Sequence, residues 1–115
     1  VNKVLICGSR TWIDEKRIYD FIKSLDKDTI VIQGHANGAD IIAFKSCIKL
    51  CVPVVCCPAD WERDGRSAGS KRNMYMLDKF KPHRVVAFMV GESRGTRHMV
   101  NYAKEHGVPT EVFHA

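Results

Sequence analysis

Apolar residues along this chain fall into two alternating patterns. Five short runs, KVLICG, TIVIQG, VPVVCCP, RVVAFMVG and VPTEVFH, are rich in Val, Ile, Cys and Phe, as strands buried on both faces are. Between them the apolar positions recur at helical spacing. Ile18, Phe21, Ile22 and Leu25 follow i, i+3, i+4, i+7, with Asp14 placed as the N-cap and Ile13 before it placed to staple onto Ile18. A second helix is predicted from about Asn37 to Leu50, with Ala39, Ile42, Ala43 and Leu50 inward. A third covers roughly Ser67 to Phe80 through Met76, Leu77 and Phe80. A fourth sets Thr96, Met99, Val100 and Ala103 against a polar side of Arg97, Asn101, Lys104 and Glu105.

The order βαβαβαβαβ predicts an α/β fold: a Rossmann-like three-layer αβα sandwich with a five-stranded, mainly parallel sheet and right-handed crossovers. With 115 residues, 45% apolar and 27% charged, residues 1–115 are expected to form one domain with a single core. Open sheets of this kind bind ligands beyond the carboxyl ends of their strands, where strand order reverses. The loops there read GSRTW, GHANGAD and GESRGT after strands one, two and four. Each opens with glycine (Gly8, Gly34, Gly91) and supplies small or polar residues whose N–H groups, with the following helix N-terminus, suit an anion. The spacing of GESRGT is neither Walker A nor GxGxxG.

Charge sharpens this picture. Eighteen Lys and Arg against thirteen Asp and Glu leave a net charge of +5, compatible with nucleic acid or with a smaller anion. Arg10, His35, Arg94, Arg97 and His98 fall in or just past the three loops, while Arg63, Arg66, Lys71 and Arg72 gather near the start of the third helix. The five cysteines sit in apolar runs without paired CxxC spacing and read as buried free thiols, so no metal is expected. No apolar run approaches the roughly 20 residues that cross a bilayer, and the first strand begins almost at once, so a cytoplasmic protein without a membrane partner is expected.

Each loop also has a plain reading beside the functional one. Ser93 or Thr96 can cap the fourth helix and Gly91 and Gly95 can ease the turn, but capping does not account for Arg94 beside them. Gly8 can simply permit a tight turn before Ser9 and Arg10. Asn37 is placed as a helix cap and Gly38 as a close-packing position. Asp40 suits the first turn of a helix, and is also the leading candidate for a catalytic carboxylate, with Glu92 next. Ser67 or Ser70 is placed to cap the third helix, where Asn73, a poor helix former beside Arg72, is better explained by contact than by propensity. Trp61, in the polar loop PADWERDG, either pins that loop or stacks on a base. His35 and His98 read as polar loop and helix residues, because nothing in the sequence orients either ring.

Taken together and in this order, GSR, GHANGAD, PADW, AGSKRN, SRGT and HGVPTEV resemble the YspA-related, YpsA-like branch of the SLOG superfamily. That Rossmann-like group includes the LOG-type nucleotide phosphoribohydrolases and the DprA-like DNA-processing proteins. The resemblance implies a nucleotide or nucleotide-derived ligand. Gly8, Ser9, Gly91, Ser93, Gly95 and Thr96, with the second loop's Gly34 and Gly38, would cradle it. Arg10, Arg72 and Arg94 would neutralise phosphate, Asp40 and Asn73 would orient the sugar, and Trp61 would cover the base. No cofactor is implied. LOG-type enzymes carry a glutamate three residues after their glycine-threonine turn and use it with the arginine of an RN motif. Arg72-Asn73 keeps that motif, but the glutamate position is Met99. A thioether cannot stabilise an oxocarbenium-like transition state. Binding is therefore the leading expectation. An N-glycosidase or phosphohydrolase using Asp40, Arg72 and Glu92 is the second, and a DprA-like DNA-binding protein the third. LOG-type relatives are oligomers, which makes a homodimer compatible with the resemblance.

Overall fold

In the computed structural model, which describes residues 2–115, strand β1 (Asn2–Gly8) occupies the middle of a five-stranded sheet ordered β3-β2-β1-β4-β5. The other strands are β2 (Thr29–Gln33), β3 (Val54–Cys56), β4 (Arg84–Met89) and β5 (Thr110–His114). All four pairings are parallel, with Val4 opposite both Val31 and Arg84, Gly8 opposite Phe88, Gln33 opposite Cys56 and Met89 opposite His114. The chain builds outward from β1 through β2 to β3, then returns to place β4 on the far side of β1. Strand order thus reverses between β1 and β4, whose carboxyl ends open side by side.

Alternation along β1 sends successive side chains into two cores. Val4 and Ile6 meet Ile18 and Ile22 of α1 (Glu15–Lys23) and Ala39, Ala43 and Cys47 of α2 (Ala39–Leu50). Leu5 and Cys7 meet Met76 and Leu77 of α4 (Ala68–Phe80) and Met99, Val100 and Ala103 of α5 (Arg94–Glu105). This is the Rossmann-like three-layer sandwich that the alternating pattern predicts. Among the described residues, no helix is long and apolar enough to cross a membrane.

Several local expectations are corrected. Ile13 is 87% exposed and staples nothing, although Asp14 does cap α1 by accepting from the Arg17 N–H. Helix α2 starts at Ala39 with Gly38, not Asn37, at the N-cap. The reason is steric: Gly38 has φ +80°, and a Cβ there would stand 2.4 Å from the Ser9 carbonyl oxygen, so the chain passes close to the first loop and begins its helix afterwards. Neither Ser67 nor Ser70 caps α4 through its side chain; their hydroxyls donate to the carbonyls of Asp64 and Ser67. The PADWERDG stretch is not all loop: Asp60 caps a one-turn helix, α3 (Trp61–Asp64), followed by a 3₁₀ turn at Gly65–Ser67. Of the cysteines, Cys7, Cys47 and Cys57 are buried, but Cys56 is half-buried and Cys51 is exposed, in a left-handed conformation at the C-cap of α2.

Candidate functional site

A cavity of about 930 Å³ opens at the carboxyl edge of the sheet, across the β1–β4 reversal. The first loop brings Gly8, Ser9 and Arg10 to it, α2 brings Asp40, and α3 brings Trp61. Arg72 and Asn73 come from α4, and the fourth loop and α5 supply Glu92, Ser93, Arg94, Gly95 and Thr96. Three connections far apart in sequence thus converge. Gly34, Gly38 and Gly91 do not line the cavity. Gly34 and Gly38 act from behind it, by leaving room for Arg72 and for the Ser9–Arg10 backbone respectively.

The floor of the site is locked by backbone and hydroxyl contacts. Ser9 donates its N–H to the Phe88 carbonyl (2.9 Å), and its Oγ accepts from the Val90 N–H (2.9 Å), so one residue joins the ends of β1 and β4. Its carbonyl accepts from the N–H groups of Trp12 and Ala39. Ser9 thus has a structural part at the β1–β4 junction while it also lines the cavity. Trp12, buried against Phe88 with ring centroids 5.3 Å apart, anchors the same loop and leaves Arg10 exposed at the mouth. Gly8 is required here because a Cβ would lie 2.3 Å from the Phe88 carbonyl oxygen and 2.6 Å from the Ala39 Cβ.

Arg72 braces the opposite wall. Its Nη1 donates to the Gly34 carbonyl (2.6 Å) and the Cys57 carbonyl (3.4 Å), and its Nε donates to Asn73 Oδ1 (3.1 Å). The guanidinium thereby ties the ends of β2 and β3 to α4. Asn73, itself buried, donates through Nδ2 to the Gly95 carbonyl (3.1 Å) and so fixes the start of α5 to α4. Ser93 caps α5, its Oγ accepting from the Thr96 N–H and donating to Thr96 Oγ1. The first-turn N–H groups of Arg94 and Gly95 have no preceding helical carbonyl to meet, and give this end of the cavity positive character.

Asp40 is the buried acid of the site, 5% exposed. Oδ2 accepts from the Ala36 N–H (3.2 Å), while Oδ1 is buried with no hydrogen-bond partner among the described residues. Burial pushes the carboxyl up to about 6, against the opposing pull of the Ala36 amide and the Arg72 charge. Arg72 in turn has its charge disfavoured by burial and supported by Asp40. Glu92 differs in kind: it is exposed and holds Arg97 through both carboxylate oxygens (2.8 and 3.2 Å). Met99, at the position of the LOG-type glutamate, is fully buried in the α4–α5 core and does not line the cavity.

The cavity also includes residues that sequence reasoning left out of the site, among them Cys7, Arg66 and His98. Cys7 is an inward residue of β1 whose thiol burial pushes well above its ordinary range. Arg66 belonged to a basic cluster visible in sequence, but the 3₁₀ turn that carries it to the cavity was not. Trp61 is 51% exposed, and the Arg10 guanidinium lies 5.7 Å from its ring centroid, so the two cover one side of the mouth together.

The chain is similar to the Gene 61 protein of Mycobacterium phage D29, at 34% identity over 122 residues covering 98% of this chain and 97% of that protein. Its fold is similar to that of DNA processing protein A (DprA) from Streptococcus pneumoniae, with a TM-score of 0.64 at 12% identity; 96% of this chain covers 58% of that one, so it spans little more than half of DprA. It is also similar to the C-terminal domain of the PF1911 hydrogenase from Pyrococcus furiosus, with a TM-score of 0.57 at 18% identity over 96% of this chain and 90% of that one. At these identities the structural likenesses speak for the fold alone. Residues 2–63 match the family described as YspA, cpYpsA-related SLOG, and with the phage relative extending that similarity along almost the whole chain, the protein belongs to the YspA-related SLOG family.

Proposed function

We propose that the protein binds a nucleotide or a nucleotide-derived phosphorylated small molecule in the cavity between β1 and β4. The observation that carries this reading is the combination, around one cavity, of three arginines (Arg10, Arg66, Arg94), the start of α5 and the half-exposed ring of Trp61. Phosphate suits the arginines and the helix start, and a base suits an aromatic face. Asp40, which lines the same cavity, supplies a carboxylate for a sugar hydroxyl to donate to. The SLOG relationship supports a nucleotide-related ligand.

Titration calorimetry with nucleosides and their 5′-mono- and diphosphates tests the reading. Phosphorylated forms should bind and the parent nucleosides should bind far more weakly; equal affinity for both, or heat from neither, would sink it.

A second reading, hydrolysis of the bound nucleotide, is favoured by one feature. A carboxyl buried enough to titrate near 6 is suited to general acid–base work near neutral pH. Against it stand Met99 where LOG-type enzymes have glutamate, and Glu92 engaged by Arg97. Chromatography of the same mixtures for released base or phosphate separates the two, with Asp40→Ala as the control for turnover.

A further inference from the structure

The side-chain amide of Asn73 is oriented by two neighbours of opposite kind. Arg72 Nε, which only donates, lies 3.1 Å from Oδ1, and the Gly95 carbonyl oxygen, which only accepts, lies 3.1 Å from Nδ2. Turning the amide over would set donor against donor and acceptor against acceptor, so Nδ2 is held as the NH₂ end. The same Nδ2 lies 3.3 Å from Nδ1 of His98. An NH₂ group offers a hydrogen and accepts none here, so Nδ1 is the bare, accepting nitrogen, and the ring hydrogen of the neutral imidazole resides on Nε2.

The ring is steadied further by Tyr102, which stacks on it with an interplanar angle of 11° and whose hydroxyl is anchored on Asp78 at 2.9 Å. His98 borders the cavity, one helical turn beyond Arg94 on the same side of α5, and its Nε2 has no protein partner among the described residues. We infer that His98 is a ligand-binding residue, held by Asn73 as the Nε2–H tautomer and donating to a phosphoryl oxygen of the molecule in the cavity. This rests on the cavity being the nucleotide site proposed above and deepens it. Arg72 and Asn73 serve as positioning residues, acting through the ring and not on the ligand.

Nitrogen-15 imidazole spectra of the protein alone test the first half, with the His98 signals assigned by their loss in His98→Gln. Nδ1 should resonate as an unprotonated ring nitrogen and Nε2 as a protonated one. In Asn73→Asp, where an acceptor replaces the NH₂, the ring should change to the Nδ1–H tautomer. Calorimetry with 5′-AMP tests the second half. His98→Ala should weaken binding about tenfold, as loss of a hydrogen bond to a charged group does. His98→Gln, whose amide NH₂ takes the place of Nε2–H, should retain most of the affinity, and the shorter His98→Asn should behave as Ala does. A wild-type ring in the Nδ1–H form, or His98→Ala binding as wild type does, overturns the inference. Should wild-type protein bind no 5′-AMP, the tightest-binding nucleoside 5′-mono- or diphosphate takes its place, and should it bind none of them the nucleotide reading fails separately. Inorganic phosphate then becomes the probe: a shift of the His98 Nε2 signal on its addition upholds the role of His98, and an unmoved signal ends it.

Discussion

Nη1 of Arg72 stands 2.6 Å from the carbonyl oxygen of Gly34, and a Cβ on residue 34 would stand 2.4 Å from that same nitrogen. The glycine is thus the recess into which the arginine fits, and the two residues close one wall of the cavity from elements 38 positions apart. Gly34→Ala should expel the guanidinium from its two carbonyl acceptors and leave Asp40 without its supporting charge. The expected loss of stability is about 2 kcal/mol, with ligand affinity falling alongside. Gly95→Ala, where an added Cβ meets nothing within 4 Å, should be neutral or slightly stabilising in the same urea titration. Equal effects at the two positions would remove the recess from the account.

Gly8 presents a harsher case. The atoms a Cβ would strike are the Phe88 carbonyl of the neighbouring strand and the Cβ of Ala39, not the far end of a flexible side chain. Neither can give way without moving β4 or α2 off the sheet. Gly8→Ala should therefore cost about 3 kcal/mol, at the upper end of what over-packing does. The shift should appear in the urea midpoint without a change of slope. A variant as stable as wild type would mean that the β1–β4 junction is looser than these distances imply.

Burial makes Asp40 a source of pH-dependent stability. Its carboxyl is lifted from the ordinary 3.8 to about 6, so the folded chain holds this proton more tightly than the unfolded chain does. Between those values folding takes up a proton, and stability falls as pH rises through the window. Above about pH 7 the full deficit is present, on the order of 3 kcal/mol for a displacement of this size. Asp40→Asn keeps an acceptor for the Ala36 N–H and removes the charge. It should gain on the order of 1 to 3 kcal/mol above about pH 7 and almost nothing at about pH 3, below the unfolded value, the gain being reduced by whatever Arg72 loses. Urea unfolding at the two pH values checks the sign; a gain that is the same at both would separate the stabilisation from this titration.

These contacts mark the boundary of what the chain discloses without its fold. The five strands were legible because each is an apolar run bounded by turn residues, and α1 and α5 because Asp14 and Ser93 cap them through local side-chain contacts. The convergence of the first and fourth loops followed from strand order, which alternation of strands and helices largely dictates. Helix α3 was not legible, since one turn of Trp, Glu, Arg and Asp shows no period. Ile13 and Asn37 misled because staple and cap signals are local. At residue 37 a tertiary constraint, the passage of Gly38 over the Ser9 carbonyl, decides where the helix starts. The contacts of Ser9 and His98 were not legible for the same reason: their partners, Val90 and Asn73, are 81 and 25 residues away, and no local pattern contains them.

The two tryptophans of the chain are placed so that one reports on the cavity and the other does not. Trp12 is 2% exposed and packed edge-on against Phe88, while Trp61 is half-exposed at the mouth with Arg10 over its ring. A base that stacks on Trp61 displaces water or the guanidinium from the indole face, so nucleotide addition should quench the red-shifted part of the emission and leave the blue-shifted Trp12 component unchanged. Trp61→Phe should abolish that change yet retain most of the affinity, because a phenyl face still stacks. Trp61→Ala should lose both, with affinity reduced about tenfold or more at the 1 to 3 kcal/mol typical of base–aromatic stacking. Because Arg10 leans on the same ring, Arg10→Ala should weaken binding by a smaller factor than Arg94→Ala and flatten its dependence on salt less, since Arg94 stands at the helix start where phosphate is expected. Ligand-dependent quenching that survives in Trp61→Phe would place the base elsewhere, against Trp12 or away from both rings, and would move the proposed ligand out of this mouth.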